Sequence, residues 1–84
     1  MKNKILVRVY VPSIDEEYET YIPSNESVKK ILDLLVKIIY DLSDTNFDAD
    51  TNHYLLDASS SKIYLSNQII RETDIKNSKK IILI

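Results

Sequence analysis

The run from Ser24 to Asp44 reads as one long helix, and it dictates what must surround it. Val28, Ile31, Leu32, Leu35, Ile39 and Leu42 recur at three- and four-residue steps, the spacing of a helix with one buried side. Pro23 closes the extended segment before it, because proline disfavours helical geometry at Ile22. Ser24 or Asn25 is placed to cap the first turn, with Glu26 near the positive end of the helix dipole. At about 100° per residue, Lys29, Lys30, Asp33, Lys37, Tyr40 and Asp41 fall on one arc of about 120°. The remaining arc of about 200° is apolar, with Leu34, Val36 and Ile38 on its flanks, whereas a core-facing stripe needs little more than about 100°. Either the sheet curls around the helix and a long loop covers one flank, or one flank docks a partner.

No glycine occurs among the 84 residues. Tight turns must use Asn, Asp or Ser, which tolerate positive φ at some cost. The same absence removes glycine-rich phosphate loops, dinucleotide fingerprints and Walker loops. There is no cysteine either, which excludes disulfides, thiolate metal sites and cysteine nucleophiles. The length fits one domain over residues 1–84, able to bury about 60 % of its unfolded surface. With 11 basic and 13 acidic residues the charges nearly balance, unlike the basic face of a general nucleic-acid binder. No apolar run approaches the roughly 18 residues of a membrane span. Met1-Lys2-Asn3-Lys4 leads straight into a strand rather than a signal-peptide core, so a cytoplasmic protein is expected.

Strands are expected on both sides of the helix. Lys4 to Val11 alternates Ile5, Val7, Val9 and Val11 against Leu6, Arg8 and Tyr10. After a turn at Pro12–Asp15, Glu17 to Ile22 sets Tyr18, Thr20 and Ile22 against Glu17, Glu19 and Tyr21, completing a hairpin. Beyond the helix, Ser43 to Asn52 is an acidic loop pinned by Phe47. Asp44, Asp48 and Asp50 invite a calcium reading, but the spacing lacks the alternate ligands, sixth-position glycine and twelfth-position glutamate of an EF-hand. No metal site and no cofactor is expected. His53–Asp57 and Lys62–Leu65 read as a second hairpin around the turn Ala58–Ser61, with Ser66-Asn67-Gln68 as a further turn. Ile69 and Ile70 anchor the next segment, Thr73-Asp74 begins a short helical turn before Ile75, and Asn77-Ser78 bends into Lys79–Ile84. His53, the one histidine, reads as a strand-edge residue, and the serine run lacks a histidine–acid pair to activate it. The last strand is apolar at its final four positions, which suggests a central strand paired in parallel with Lys4–Val11.

The order hairpin, helix, hairpin, strand resembles the β-grasp of ubiquitin-like proteins, an α+β fold with a mixed sheet whose first and last strands are parallel and central. The resemblance rests on Leu55-Leu56, a short partner strand, Ile69-Ile70, Thr73-Asp74-Ile75 and the closing Ile81-Ile82-Leu83-Ile84. The lead into the helix, Ile22-Pro23-Ser24-Asn25-Glu26-Ser27-Val28-Lys29-Lys30-Ile31, is similar to that of the small ubiquitin-like proteins encoded with type VII (WXG-type) secretion systems of Gram-positive bacteria, the YukD/EsaB family. That resemblance implies a non-enzymatic accessory or regulatory module, cytoplasmic or peripheral to a membrane secretion complex. Its expected partner is the system's membrane ATPase or another cytosolic component, and the chain itself is expected to be a monomer or weak homodimer.

Ubiquitin-like modifiers and sulfur carriers use a flexible Gly-Gly tail. The present sequence closes on Ile84 in a strand, so conjugation and sulfur transfer are not expected. In the proposed register Leu6, Leu56, Ile82 and Ile84 lie on the sheet face away from the helix, the face ubiquitin uses as an apolar docking patch. Contiguous exposed aliphatic surface commonly marks an interface. The alternative is that neighbouring Lys and Tyr side chains partly cover these residues. A second function class is an RNA-binding or other cytosolic regulatory factor using Arg8, Lys62, Lys79 and Lys80, with weak, salt-sensitive binding and no aromatic platform. No catalytic constellation is present.

Overall fold

The computed structural model describes residues 3–44 and 46–84. Met1 and Lys2, read above as the lead into the first strand, and Thr45, in the acidic loop, lie outside the described residues. Four strands and one helix follow in order: β1 (Lys4–Val11), β2 (Glu16–Pro23), α1 (Val28–Leu42), β3 (Leu55–Asp57) and β4 (Lys79–Leu83). The sheet order is β2-β1-β4-β3, with β1 and β4 parallel in the centre and both outer strands antiparallel to their neighbours. The expected α+β mixed sheet with parallel central strands is the observed one.

The alternation read from β1 is its burial. Val7, Val9 and Val11 are fully buried under α1, together with Ile22 of β2, Leu55 of β3 and Ile81 and Leu83 of β4. The helix answers with Val28, Ile31, Leu35 and Ile39, one residue per turn of the stripe. Phe47 is buried against this core and pins the long loop as expected. One helix flank, Leu32 and Val36, is thereby half-covered. The opposite flank is open: Leu34 is 37 % exposed and Leu42, expected in the core, is 61 % exposed. Leu42 is the last helical residue, and it has Ile14 and Tyr18 of the hairpin beside it on one side only.

Four expectations are corrected. The helix is capped by Ser27, whose Oγ accepts from the Lys30 N–H at 3.2 Å, not by Ser24 or Asn25. Ser24 is engaged elsewhere, since its N–H and hydroxyl both donate to Asn3 O (2.6 and 3.1 Å) and its carbonyl accepts from Arg71. The third strand is shorter than His53–Asp57, and Lys62–Leu65 is not a strand but a single bridge between Leu56 and Ile63. The Tyr64 N–H still donates to Leu55 O at 2.9 Å, and pairing stops beyond it because the Leu65 N–H turns to the Gln68 Oε1 at 2.8 Å; the Tyr64 side chain lies inward, its hydroxyl donating to Asp74 at 2.6 Å. The short helical turn lies at Ile70–Glu72, one turn earlier than read. Thr73 ends it: its hydroxyl donates to Ile70 O and accepts from the Ile75 N–H.

Positive φ falls on Asp15 (51°), Asp44 (57°), Ser61 (62°) and Ser78 (68°), all residues of the types that glycine's absence demanded. A non-glycine residue in this region costs roughly 1–2 kcal/mol, and glycine's extra backbone entropy offsets about half of that. Ser78→Gly should therefore raise unfolding stability by about 0.5–1 kcal/mol, and Ser78→Val should lower it, both read from urea titrations.

Candidate apolar interface on the outer sheet face

Strand register places a row of side chains across the face turned from the helix. Tyr10 pairs with Ile82, Ile82 with Leu56, and Leu56 bridges to Ile63, so four strand positions line up side by side. Tyr54 and Ile84 exchange both main-chain hydrogen bonds (2.9 and 3.0 Å), which extends the β3–β4 ladder by one pair. That pair carries two further apolar side chains on the same face, by the two-residue alternation of a strand. Leu56 and Ile82 are half-buried, while Ile63 and Ile84 are each 49 % exposed.

Of the residues singled out from sequence, the fold brings Leu56, Ile82 and Ile84 together. Leu6 shares the face but not the patch. It pairs with Tyr21, and four strand positions, about 13 Å, separate it from the Tyr10–Ile82 row. Ile63, Tyr54 and Tyr10 were not singled out. The inward turn of Tyr64 sets the orientation of Ile63, and only the bridge to Leu56 gives its position.

The proposed basic cluster is split between the two faces. Lys79 shares the helix side with Val7, its register partner, and its Nζ lies 3.1 Å from Asp57 and 3.8 Å from Asp74. Lys80 is on the outer face, 3.2 Å from Glu17 and 5.6 Å above the Tyr10 ring. Arg8 lies between Glu19 and Lys80 in the ladder, and Lys62 is exposed in the turn before the bridge. Carboxylates interleave these cations, so no basic stripe forms.

Asp57 is the one buried charged residue described. The Ser59 N–H and hydroxyl donate to its Oδ1 at 2.9 and 2.8 Å, and the Lys79 ammonium donates to Oδ2. These bonds, Ser59 first, hold its carboxyl well below the usual carboxylate range. A carboxylate so stabilised is a poor proton acceptor, and the Ser59 hydroxyl is committed to it as a hydrogen-bond donor. Burial first, and then the Asp74 hydrogen bond, push the Tyr64 phenol above its ordinary range. The group is a structural clasp over the 58–62 turn. His53 is another: its Nε2 is 2.8 Å from Asp48 O, its Nδ1 is 3.2 Å from Ile84 O, and its ring stacks on Phe47 at 4.8 Å. It lies just before β3 and ties the acidic loop to the sheet's last strand.

No model of a known protein family matches the chain, and no curated protein matches it. Solved structures do. A chain of the MycP5-free ESX-5 inner membrane complex superposes with a TM-score of 0.79 over 98 % of this chain, at 15 % identity. This chain spans 21 % of that one. The ubiquitin-like domain of the Mycobacterium tuberculosis type VII secretion system protein ECCD1 gives 0.70 at 11 % identity, covering 94 % of this chain and 97 % of that one. The fold is a ubiquitin-like β-grasp. A chain of the toluene 4-monooxygenase HD complex shares this β-grasp with a TM-score of 0.76 at 11 % identity, covering 95 % of each chain. Likeness at these identities fixes the architecture of the β-grasp and leaves its use open.

The Asp57 clasp has a pH signature. Its carboxyl is more acidic folded than unfolded, so its stabilisation is present above about pH 4, the ordinary aspartate value, and is lost as pH falls below it. Asp57→Asn should lower the Tm at pH 7, and the gap from the parent should close as the pH of thermal melts is brought below about 4.

Proposed function

We propose that this ubiquitin-like chain is a non-enzymatic protein-interaction module serving a bacterial type VII secretion system. In this reading it is a single domain, cytoplasmic or held at the inner face of a membrane complex, and it docks on the system's ATPase or another cytosolic component. The observation that carries the reading is the outer-face row Tyr10–Ile82–Leu56–Ile63 with Tyr54 and Ile84 beside it. An exposed aliphatic group of this kind, rimmed by the Lys80–Glu17 pair, is the composition of a docking surface rather than of a reaction centre. Among the described residues there is no group of three or more His, Cys, Asp or Glu that could hold a metal. No described helix is long and apolar enough to cross a membrane.

Two likenesses support the secretion context: the segment Ile22–Ile31, which resembles the YukD/EsaB helix lead, and the shared fold of the ESX-5 complex chain and the ECCD1 domain. The Gly-Gly tail chemistry of modifiers plays no part in this reading, since the chain contains no glycine. RNA binding is the weaker alternative, because the four candidate cations are divided between faces and interleaved with carboxylates.

Ile63→Asp and Ile82→Asp should each abolish co-purification with the secretion ATPase's cytosolic part while the circular dichroism spectrum stays that of the parent. Leu6→Asp, away from the row, should bind as the parent does. Well-folded row variants that retain the ATPase would overturn the reading.

A further inference from the structure

The helix carries an apolar ridge that its own sheet leaves uncovered. Leu34, Ile38 and Leu42 stand at i, i+4 and i+8 on the flank of α1 opposite to Leu32 and Val36. Leu34 and Leu42 are exposed and Ile38 is half-buried. At 1.5 Å per residue the ridge is about 12 Å long. Core packing asks for none of these three side chains, since Val28, Ile31, Leu35 and Ile39 already fill the space under the helix.

The two ends of the ridge differ in charge. Beside Leu34 lies a hollow of about 460 Å³ with Pro23 and Ile31 in its lining and Lys30, Lys37, Glu26 and Asp33 around it. Asp33 is paired with Lys29 at 3.4 Å, so the two lysines outweigh Glu26 and leave this end positive. Beside Leu42 lies a hollow of about 290 Å³, apolar at Ile14 and Tyr18 and rimmed by Glu16 and Asp44, which make this end negative. Asp41 stands on the helix between the two, one turn after Lys37. Among the described residues Lys30, Lys37, Asp41, Asp44 and Glu16 are in no ion pair.

We infer that this ridge is the contact of a homodimer, in which α1 of one copy crosses α1 of a second copy antiparallel about a two-fold axis at Ile38. A two-fold contact uses one patch twice, so the patch must complement itself, and this one does. Leu42 of each copy lies over Leu34 and its hollow in the other, and the acidic end of each copy meets the lysine end of the other. Lys37 is one residue before the axis and Asp41 three after it, so each comes within about 3 Å, along the helix, of its opposite in the second copy. A parallel pairing would instead set acidic end on acidic end. Ridges of this i±4 type interdigitate at a crossing of about −50°, a common helix-packing class. A core of three aliphatic side chains per copy belongs with the small interfaces, below about 1,200 Å², that hold transient complexes. The outer-face row stays free in both copies.

Sedimentation equilibrium of the full chain from micromolar to millimolar concentration tests the pairing, with circular dichroism confirming that each variant is folded. The parent should show a reversible monomer–dimer equilibrium within that range. Leu42→Glu, at an exposed site, should weaken it by about a hundredfold, because the change acts twice in each dimer. Lys37→Glu and Asp41→Lys should each weaken it by about tenfold. Mixing those two variants, or combining them in one chain, restores opposite charges across the contact and should bring association back to that of the parent. Ile82→Asp should leave the equilibrium unchanged, which separates this ridge from the outer-face row. The inference fails if the chain stays monomeric at millimolar concentration or if Leu42→Glu associates as the parent does. It fails equally if the mixed charge variants associate no better than either alone, or if Ile82→Asp dissolves the dimer.

Discussion

Parallel pairing of β1 with β4 joins the two ends of the described chain, and every other contact is arranged around it. Val7 lies beside Lys79 and Val9 beside Ile81, so residues some seventy positions apart form one strip of core. Closing that strip requires the chain to cross over between its two strands, and α1 is the crossover that covers it. The hydrophobic stripe Val28, Ile31, Leu35, Ile39 is thus satisfied only when the termini meet. A contact of such long sequence separation carries a loop-closure cost, which the burial of Val7, Val9, Ile81 and Leu83 against Ile31, Leu35 and Ile39 offsets.

The same register sorts the surface. Because side chains alternate, burying Ile81 and Leu83 obliges Lys80 and Ile82 to face the other way, and Asp57 and Lys79 meet on the helix side. The outer face is therefore a by-product of the core pattern in position, but not in composition. Nothing in core packing asks for Ile82, Leu56 and Ile63 to be aliphatic. That apolar surface, like the wide apolar arc on α1, exceeds what the core contacts require.

Much of this architecture is legible in the residues. The Val-x-Val-x-Val spacing of β1 gives its length to the residue, the helix periodicity gives its buried side, and the absence of glycine gives the residue types at positive φ. The structure departs from the sequence pattern where hydrogen bonds that no local pattern announces take over. Ser24 looks like a helix cap until Asn3 and Arg71 are brought beside it by folding. Lys62–Leu65 alternates like a strand, yet the pairing ends after Tyr64 because the Leu65 N–H is claimed by the Gln68 side chain. The candidate patch was half legible: parity put Leu6 on the correct face, but the stagger between β1 and β4, which separates it from Ile82, is a property of the assembled sheet.

A chain of average composition and this length would hold about six glycines. Each would add about 0.5–1 kcal/mol to the entropy lost on ordering, a sum comparable with the strain of four left-handed turn residues at about 1–2 kcal/mol apiece. Stability is thus nearly indifferent to the exchange. The denatured ensemble is not: its backbone explores less of Ramachandran space, so the search for the distant β1–β4 encounter starts from a stiffer, narrower population of conformers.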